Sequence, residues 1–151
     1  MTYNEILPLA EVKNYLRLED DFTEDDTAIE RMVRSALQFI EKRTNHIFQL
    51  RENVTYSNEC GRIVIYDNPI RFTNPDDVFI QYKSDRRVVY SKSIVAEVGY
   101  LTIDDVPSAL IDAALQIIKC FYFEAEKQAN TTLLPESVHQ IINSYRRFTV
   151  V

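Results

Sequence analysis

Glycine is nearly missing from this sequence: Gly61 and Gly99 are the only two among 151 residues. Loops that cradle phosphate groups need several glycines in close succession, so nucleotide binding of that kind is excluded. Histidine is as scarce. His46 and His139 lie far apart, no HExxH segment occurs and no paired cysteines accompany them, so a zinc site has no ligand set to draw on. Cys60 falls in an expected loop and Cys120 in an expected helix; two cysteines so placed make no disulfide framework, and Cys120 reads as a small buried apolar residue. Serines occur without a GxSxG elbow, and adjacent acids such as Asp76-Asp77 point apart as often as together. Nucleophilic and phosphoryl-transfer chemistry therefore lacks its parts. We expect no catalytic residues, no metal or cofactor ligands, no cofactor, and a protein that is not an enzyme.

Long apolar runs are missing too. In the most apolar helical stretch no charge falls between Asp112 and Lys119, a gap far short of the roughly 20 residues of a membrane span, and no signal peptide opens the chain. We expect cytosolic synthesis and no membrane partner. Positive charge is in deficit: 17 basic against 23 acidic residues leaves a net charge of −6. A protein that grips nucleic acid without regard to sequence needs a basic stripe to displace counterions, and this composition argues against one. It remains compatible with a protein that surrounds DNA without holding it. The acids are concentrated in the first 30 residues. Their densest run, Glu19 to Asp26, lacks the glycine and the DxDxDG spacing of a calcium loop and reads as a solvated, helix-capping loop.

What is present is a helix. In PSALIDAALQIIKCFYFEAEK, residues 107–127, one apolar stripe runs Leu110, Ala114, Ile117, Phe121 and an adjacent one Ile111, Leu115, Ile118, Tyr122. Two adjacent stripes require cover on several sides, so this is the expected core helix, with both Ile117 and Phe121 buried. Ahead of it, residues 1–6 show no period. A helix is expected over 8–17, with Pro8 at its first position and Leu9, Val12 and Leu16 on one face flanked by Lys13. Thr23 is a candidate N-cap for a second helix over 24–43, with three acids in its first turn and Ile29, Val33, Ala36, Leu37 and Ile40 inward. Between 50 and 98 the texture changes to short strands: 54–56, 62–66, 78–82, 87–91 and 94–98. Residues 58–61 and 83–86 read as hairpin turns. Gly99-Tyr100 closes this insert. After a polar linker at 128–132, a last helix is expected over 135–145 with Val138, Ile141 and Ile142 apolar. The tail, Tyr145 to Val151, is apolar and basic, and its aromatic and arginine residues suit a protein interface better than a nucleic-acid contact.

The expected class is therefore mainly α with a small β insert (α+β). A single domain, 1–151, would hold about four helices bundled around 107–127, with helical parts at 8–45 and 107–145, short antiparallel strands at 50–98 and a tail at 146–151.

The order of these parts resembles the head-tail connector (adaptor) proteins of long-tailed bacteriophages. The resemblance is carried at the front by the KxYLR pattern of Lys13, Tyr15, Leu16 and Arg17, followed by an acidic loop and a long helix. Further on it is carried by Gly99, Tyr100, Pro107, Ala113 and Tyr122, and at the end by Leu134, Pro135, Tyr145 and Arg146. The resemblance implies a structural virion protein at the head-tail junction, made in the host bacterial cytoplasm from a phage or prophage gene. It implies a ring, dodecameric in the virion, docked under the portal protein, in contact with a downstream neck or stopper protein, and extending a channel through which genomic DNA passes without specific binding. Contacts with the portal or a neighbouring copy would fall on Arg17, Tyr145, Arg146, Arg147, Phe148, Val150 and Val151. Two alternatives stand beside this reading: another neck component, such as a stopper or tail-completion protein, and a small regulatory module that binds protein through the same tail.

Overall fold

The computed structural model describes residues 1–125 and 134–146. The expected linker at 128–132 and the tail residues Arg147, Phe148, Val150 and Val151 lie outside them. Among the described residues are five helices, α1 (Tyr3–Ile6), α2 (Leu9–Leu16), α3 (Asp26–Thr44), α4 (Ser108–Ala125) and α5 (Glu136–Tyr145). Six strands lie between α3 and α4: β1 (Arg51–Ser57), β2 (Ile63–Ile65), β3 (Ile70–Phe72), β4 (Phe79–Tyr82), β5 (Arg87–Tyr90) and β6 (Ser93–Val98). The class is α+β.

Helix α1, which hydrophobic periodicity does not reveal, is made by a capping box: the Thr2 hydroxyl accepts from the Glu5 N–H while the Glu5 carboxylate accepts from the Thr2 N–H. Helix α2 ends on Arg17 in the left-handed conformation, φ 61°. Pro8 precedes it as N-cap and is not its first helical residue. Helix α3 starts later than expected. Thr23 does not cap it, Asp25 holds the N-cap position, and of the three acids only Asp26 lies within the first turn. The physical reason is a competing partner: the Asp25 carboxylate accepts a hydrogen bond from the Tyr122 hydroxyl of α4 at 2.7 Å instead of capping its own helix. The inward positions of α3 are as periodicity implies, with Ile29, Val33, Ala36, Leu37 and Ile40 all buried.

Helix α4 packs against α2, α3 and α5. Leu110, Ala113, Ala114, Ile117 and Ile118 are fully enclosed. Its last turns are not: Phe121, Tyr122 and Cys120 are half-buried, which corrects the expectation of a buried Phe121 and Cys120. This end of α4 lies beside the polar start of α3, where Asp25 replaces apolar cover. In α5, Val138 and Ile142 are buried and Ile141 is half-buried.

The strands form two three-stranded antiparallel sheets, ordered β1-β6-β3 and β2-β5-β4. Residues 83–86 do make the hairpin turn between β4 and β5, closed by the Lys83 N–H on the Arg86 carbonyl at 3.0 Å. Residues 58–61 do not close a hairpin, because β1 and β2 belong to different sheets. Strand β3 lies outside the expected strands; its three residues are all half-buried and show no alternation. Ile63, Ile65, Val89 and Ile94, with Tyr56, Ile70, Phe72, Val78 and Ile80 around them, form a core of their own, separate from the helical one. Along β1 the register slips between Arg51 and Val54, where Asn53 takes φ 54°: a bulge that bends the strand.

Candidate functional site

Three surfaces bear on function, and the sequence places each. The first is the seam between the helices and the β insert, residues 45–50 and 99–100. Asn45, left-handed at φ 57°, turns the chain out of α3 and its N–H donates to the Glu41 carbonyl. The Glu41 side chain is buried and accepts from the Phe48 N–H at 2.7 Å and from the Tyr3 hydroxyl at 2.8 Å, with the Arg51 guanidinium 4.0 Å away. Burial, and then this hydrogen bond to a carboxylate, push the Tyr3 phenol up to about 12 from its usual 10. Tyr100 stacks near Phe48, and its hydroxyl lies 2.6 Å from His46 Nδ1. Gly99, at φ +112°, lets the backbone pass so close to Gln49 that a Cβ would stand 2.4 Å from the Gln49 carbonyl oxygen. That is the physical content of the Gly-Tyr pair: the glycine permits the approach and the tyrosine fills the joint.

The second surface is an acidic lip. Glu19, Asp20, Asp21 and Glu24 are exposed. Beneath them Lys13 is buried, its Nζ 2.7 Å from Asp26 Oδ1 and donating to the Asp20 carbonyl at 3.4 Å. Lys13 is thus a fastener of the loop from inside and no longer a flanking residue. Arg17, predicted as a contact residue, is exposed at this end of the molecule. Tyr15 lies under the Lys119 ammonium, 5.7 Å from the ring centre.

The third surface is the base of the tail. Tyr145 is half-buried with its ring edge-on to His46 at 5.5 Å, and Arg146 is exposed. The structure does not bring Arg17 together with Tyr145 and Arg146. Arg17 ends α2 ahead of the loop that leads into α3, whereas Tyr145 ends α5 against His46, just past the other end of α3, a helix about 27 Å long. Between them α3 exposes Arg31, Arg34, Lys42 and Arg43.

Sequence reasoning missed the Glu41, Tyr3, His46 and Tyr100 cluster. The one available signal was Glu41 standing at an inward position, four after Leu37. Among the described residues no group of three His, Cys, Asp or Glu side chains is arranged to hold a metal ion, and no helix is long and apolar enough to cross a membrane.

With this geometry in hand, comparisons with known proteins place the chain. The sequence model of a family described as phage gp6-like head-tail connector protein matches residues 7–98, more than half of the chain. Among solved structures, a chain from the virion of a native gene transfer agent particle superposes with a TM-score of 0.68 at 17% identity, over 97% of this chain and 92% of that one. A chain from the neck of an empty gene transfer agent particle, computed with C6 symmetry, gives 0.62 at 16% identity over the same shares. At such identities the likeness is one of fold. No curated protein matches.

Proposed function

We propose, from the premise that this chain belongs to the phage gp6-like head-tail connector family, that it builds a ring under the portal and extends the DNA channel toward the tail. Its task is structural, at the head-tail junction of a virion. The observation that carries this reading is the family match over 7–98 together with a fold shared along 97% of the chain with a component of a particle neck. The six-fold symmetry used for that neck is compatible with a ring whose copy number is a multiple of six, and we take twelve. All 151 residues act as one unit, with the helices as a bundle of about four around α4 and the seam at Glu41, Gly99 and Tyr100 holding the β insert to it. The acidic composition suits a channel wall, since DNA slides past a repulsive surface and sticks to an attractive one.

In this reading the tail base, Tyr145 and Arg146, with Arg147, Phe148, Val150 and Val151 beyond it, meets the portal. Arg17, at the other end of α3, meets a neighbouring copy or the downstream stopper. The protein is made in the host cytoplasm as a monomer and closes its ring on docking. Native mass measurement of the purified protein, alone and mixed with the portal protein of its phage, tests this. A subunit mass alone and a ring-sized increment on the portal are expected; a mixture in which both proteins keep their separate masses overturns the reading.

A further inference from the structure

The two sheets of the β insert share one core, which Ile63, Ile65 and Val89 enter from one sheet and Tyr56, Ile70 and Ile94 from the other. Strand residues alternate, so each sheet turns its remaining side chains away from that core, and the two outer faces look in opposite directions. On the outer face of β2-β5-β4 lie Val64, Phe79 and Tyr90, all exposed, Phe79 to 66%, with the rings of Phe79 and Tyr90 5.5 Å apart. Arg62, also exposed, stands two residues ahead of Val64 and by alternation takes the same face. This is an apolar patch with a basic margin along β2.

On the outer face of β1-β6-β3, Arg71 stands opposite Glu97, its Nε 3.6 Å from the carboxylate. The loop that follows β6 lies against Arg71: Pro69, Arg71, Tyr100, Leu101 and Asp105 line one shallow cleft, and the Arg71 guanidinium donates to the Gly99 carbonyl at 2.9 Å. The loop has a fixed shape, because the Asp105 carboxylate accepts from the N–H and the hydroxyl of Thr102, at 3.1 and 2.8 Å, and closes a single 3-10 turn, Ile103–Asp105. It presents Leu101, 55% exposed, and Ile103 to solvent, with the exposed Asp104 beside them. This is an apolar knob with an acidic margin.

We propose that the knob of one copy seats on the patch of the next, Leu101 and Ile103 against Phe79 and Tyr90, with Asp104 toward Arg62. The partner is a second copy because the two surfaces match in kind, apolar to apolar and acid to base, yet lie on opposite sides of one subunit. Unlike surfaces on opposite sides make a head-to-tail contact, the kind that closes a ring, whereas a two-fold dimer needs one patch that matches itself. The five apolar side chains offer on the order of 500 Å², well short of the roughly 1,200 Å² of a stable interface. The contact therefore orients neighbours gathered on the portal and does not hold free copies together. It rests on the ring proposed above and gives that ring a direction.

The test is disulfide trapping in the full chain, with the exposed Cys60 replaced by serine, mixed with the portal protein of its phage. Arg62→Cys and Asp104→Cys are placed in one chain or in separate chains; both positions are exposed, and circular dichroism melts check that each variant keeps its fold. Under mild oxidation on the portal, the doubly substituted chain is expected to give a ladder of covalent multimers, an equimolar mixture of the two single variants covalent dimers alone, and either single variant by itself monomers. Adding Phe79→Asp to the doubly substituted chain should cut the yield of multimers at least about tenfold. A ring-sized mass on the portal with no ladder overturns the contact and leaves the ring standing. Dimers from either single variant by itself, which require like surfaces to meet, overturn it too. If the portal gathers no ring, the ring fails and this contact with it.

Discussion

Replacing Gly99 by alanine separates two effects that a single substitution usually mixes. The new Cβ would stand 2.4 Å from the Gln49 carbonyl oxygen, 2.8 Å from its carbon and 3.0 Å from the Leu50 Cα, all of them backbone atoms that cannot rotate away. The connector between α3 and β1 must therefore shift, an overpacking cost of about 1–3 kcal/mol. A left-handed φ adds about 1–2 kcal/mol for any residue with a Cβ. Gly61 is the control, since it is also left-handed, at φ +71°, but a Cβ there would meet nothing within 4 Å. Gly61→Ala bears only the cost of a left-handed φ, with no clash, and the loss of unfolded-chain freedom is common to both variants. The clash, about 1–3 kcal/mol, and the further strain of φ +112°, which lies outside the left-handed well near φ +71°, together separate the two variants, and at roughly 2–4 °C per kcal/mol for a chain of this size they lower the Tm of Gly99→Ala below that of Gly61→Ala by about 2 °C or more. Thermal melts followed by circular dichroism read it directly. Equal melting temperatures would refute the close approach at the seam.

Ile117→Ala, at a fully enclosed site, is expected to cost about 2–5 kcal/mol in denaturant titrations, and Phe121→Ala less because its side chain is only partly buried; a larger loss at Phe121 would contradict the packing of α4. The Tyr3 phenol keeps its proton in the folded chain to about pH 12 while the unfolded chain loses it near 10, so stability falls as pH rises from 10 to 12. Tyr3→Phe should flatten part of that fall, and an unchanged alkaline profile would remove the Glu41 contact from the account. Deleting residues 147–151 should leave the Tm within a few degrees and abolish portal binding in a pull-down; binding that survives would take the tail out of the interface. Treatment with a chelator is expected to leave the Tm unchanged, and a drop of several degrees would reveal a metal site.

Periodicity located α3 and α4 because most inward positions there are apolar and the repeat runs over many turns. It was silent where a structure is held by few residues or by partners distant in sequence. Helix α1 rests on Thr2 and Glu5, a pattern that reads as a capping box only once it is looked for. Strand β3 has three half-buried residues and therefore no alternation to detect. The pairing of β1 with β6, across some forty residues, cannot be read from the turn at 58–61 that follows β1. Lys13 and Glu41 were placed by partners, Asp26 for the one and Tyr3 and Phe48 for the other, which no local pattern reports. Arg17 and Arg146 are exposed, as their charge implies, whereas their placement toward different ends of α3 depends on how α2, α3 and α5 pack. Local sequence carries no record of that packing.

The fastening of the acidic lip from below sets apart how ionic strength acts on the subunit and on its assembly. The Lys13 ammonium is enclosed and the Tyr122 hydroxyl reaches Asp25 across two helices, so dissolved ions screen these contacts little. Glu19, Asp20, Asp21 and Glu24 face solvent, where a Debye length of about 8 Å at physiological ionic strength dims their field within a short distance. In the proposed ring each copy would repeat this lip, and copies brought side by side would bring like charges with them. In such a ring added salt would relieve repulsion between subunits while leaving the shape of each lip intact, and the conditions that favour closing it need not be those that loosen the chain.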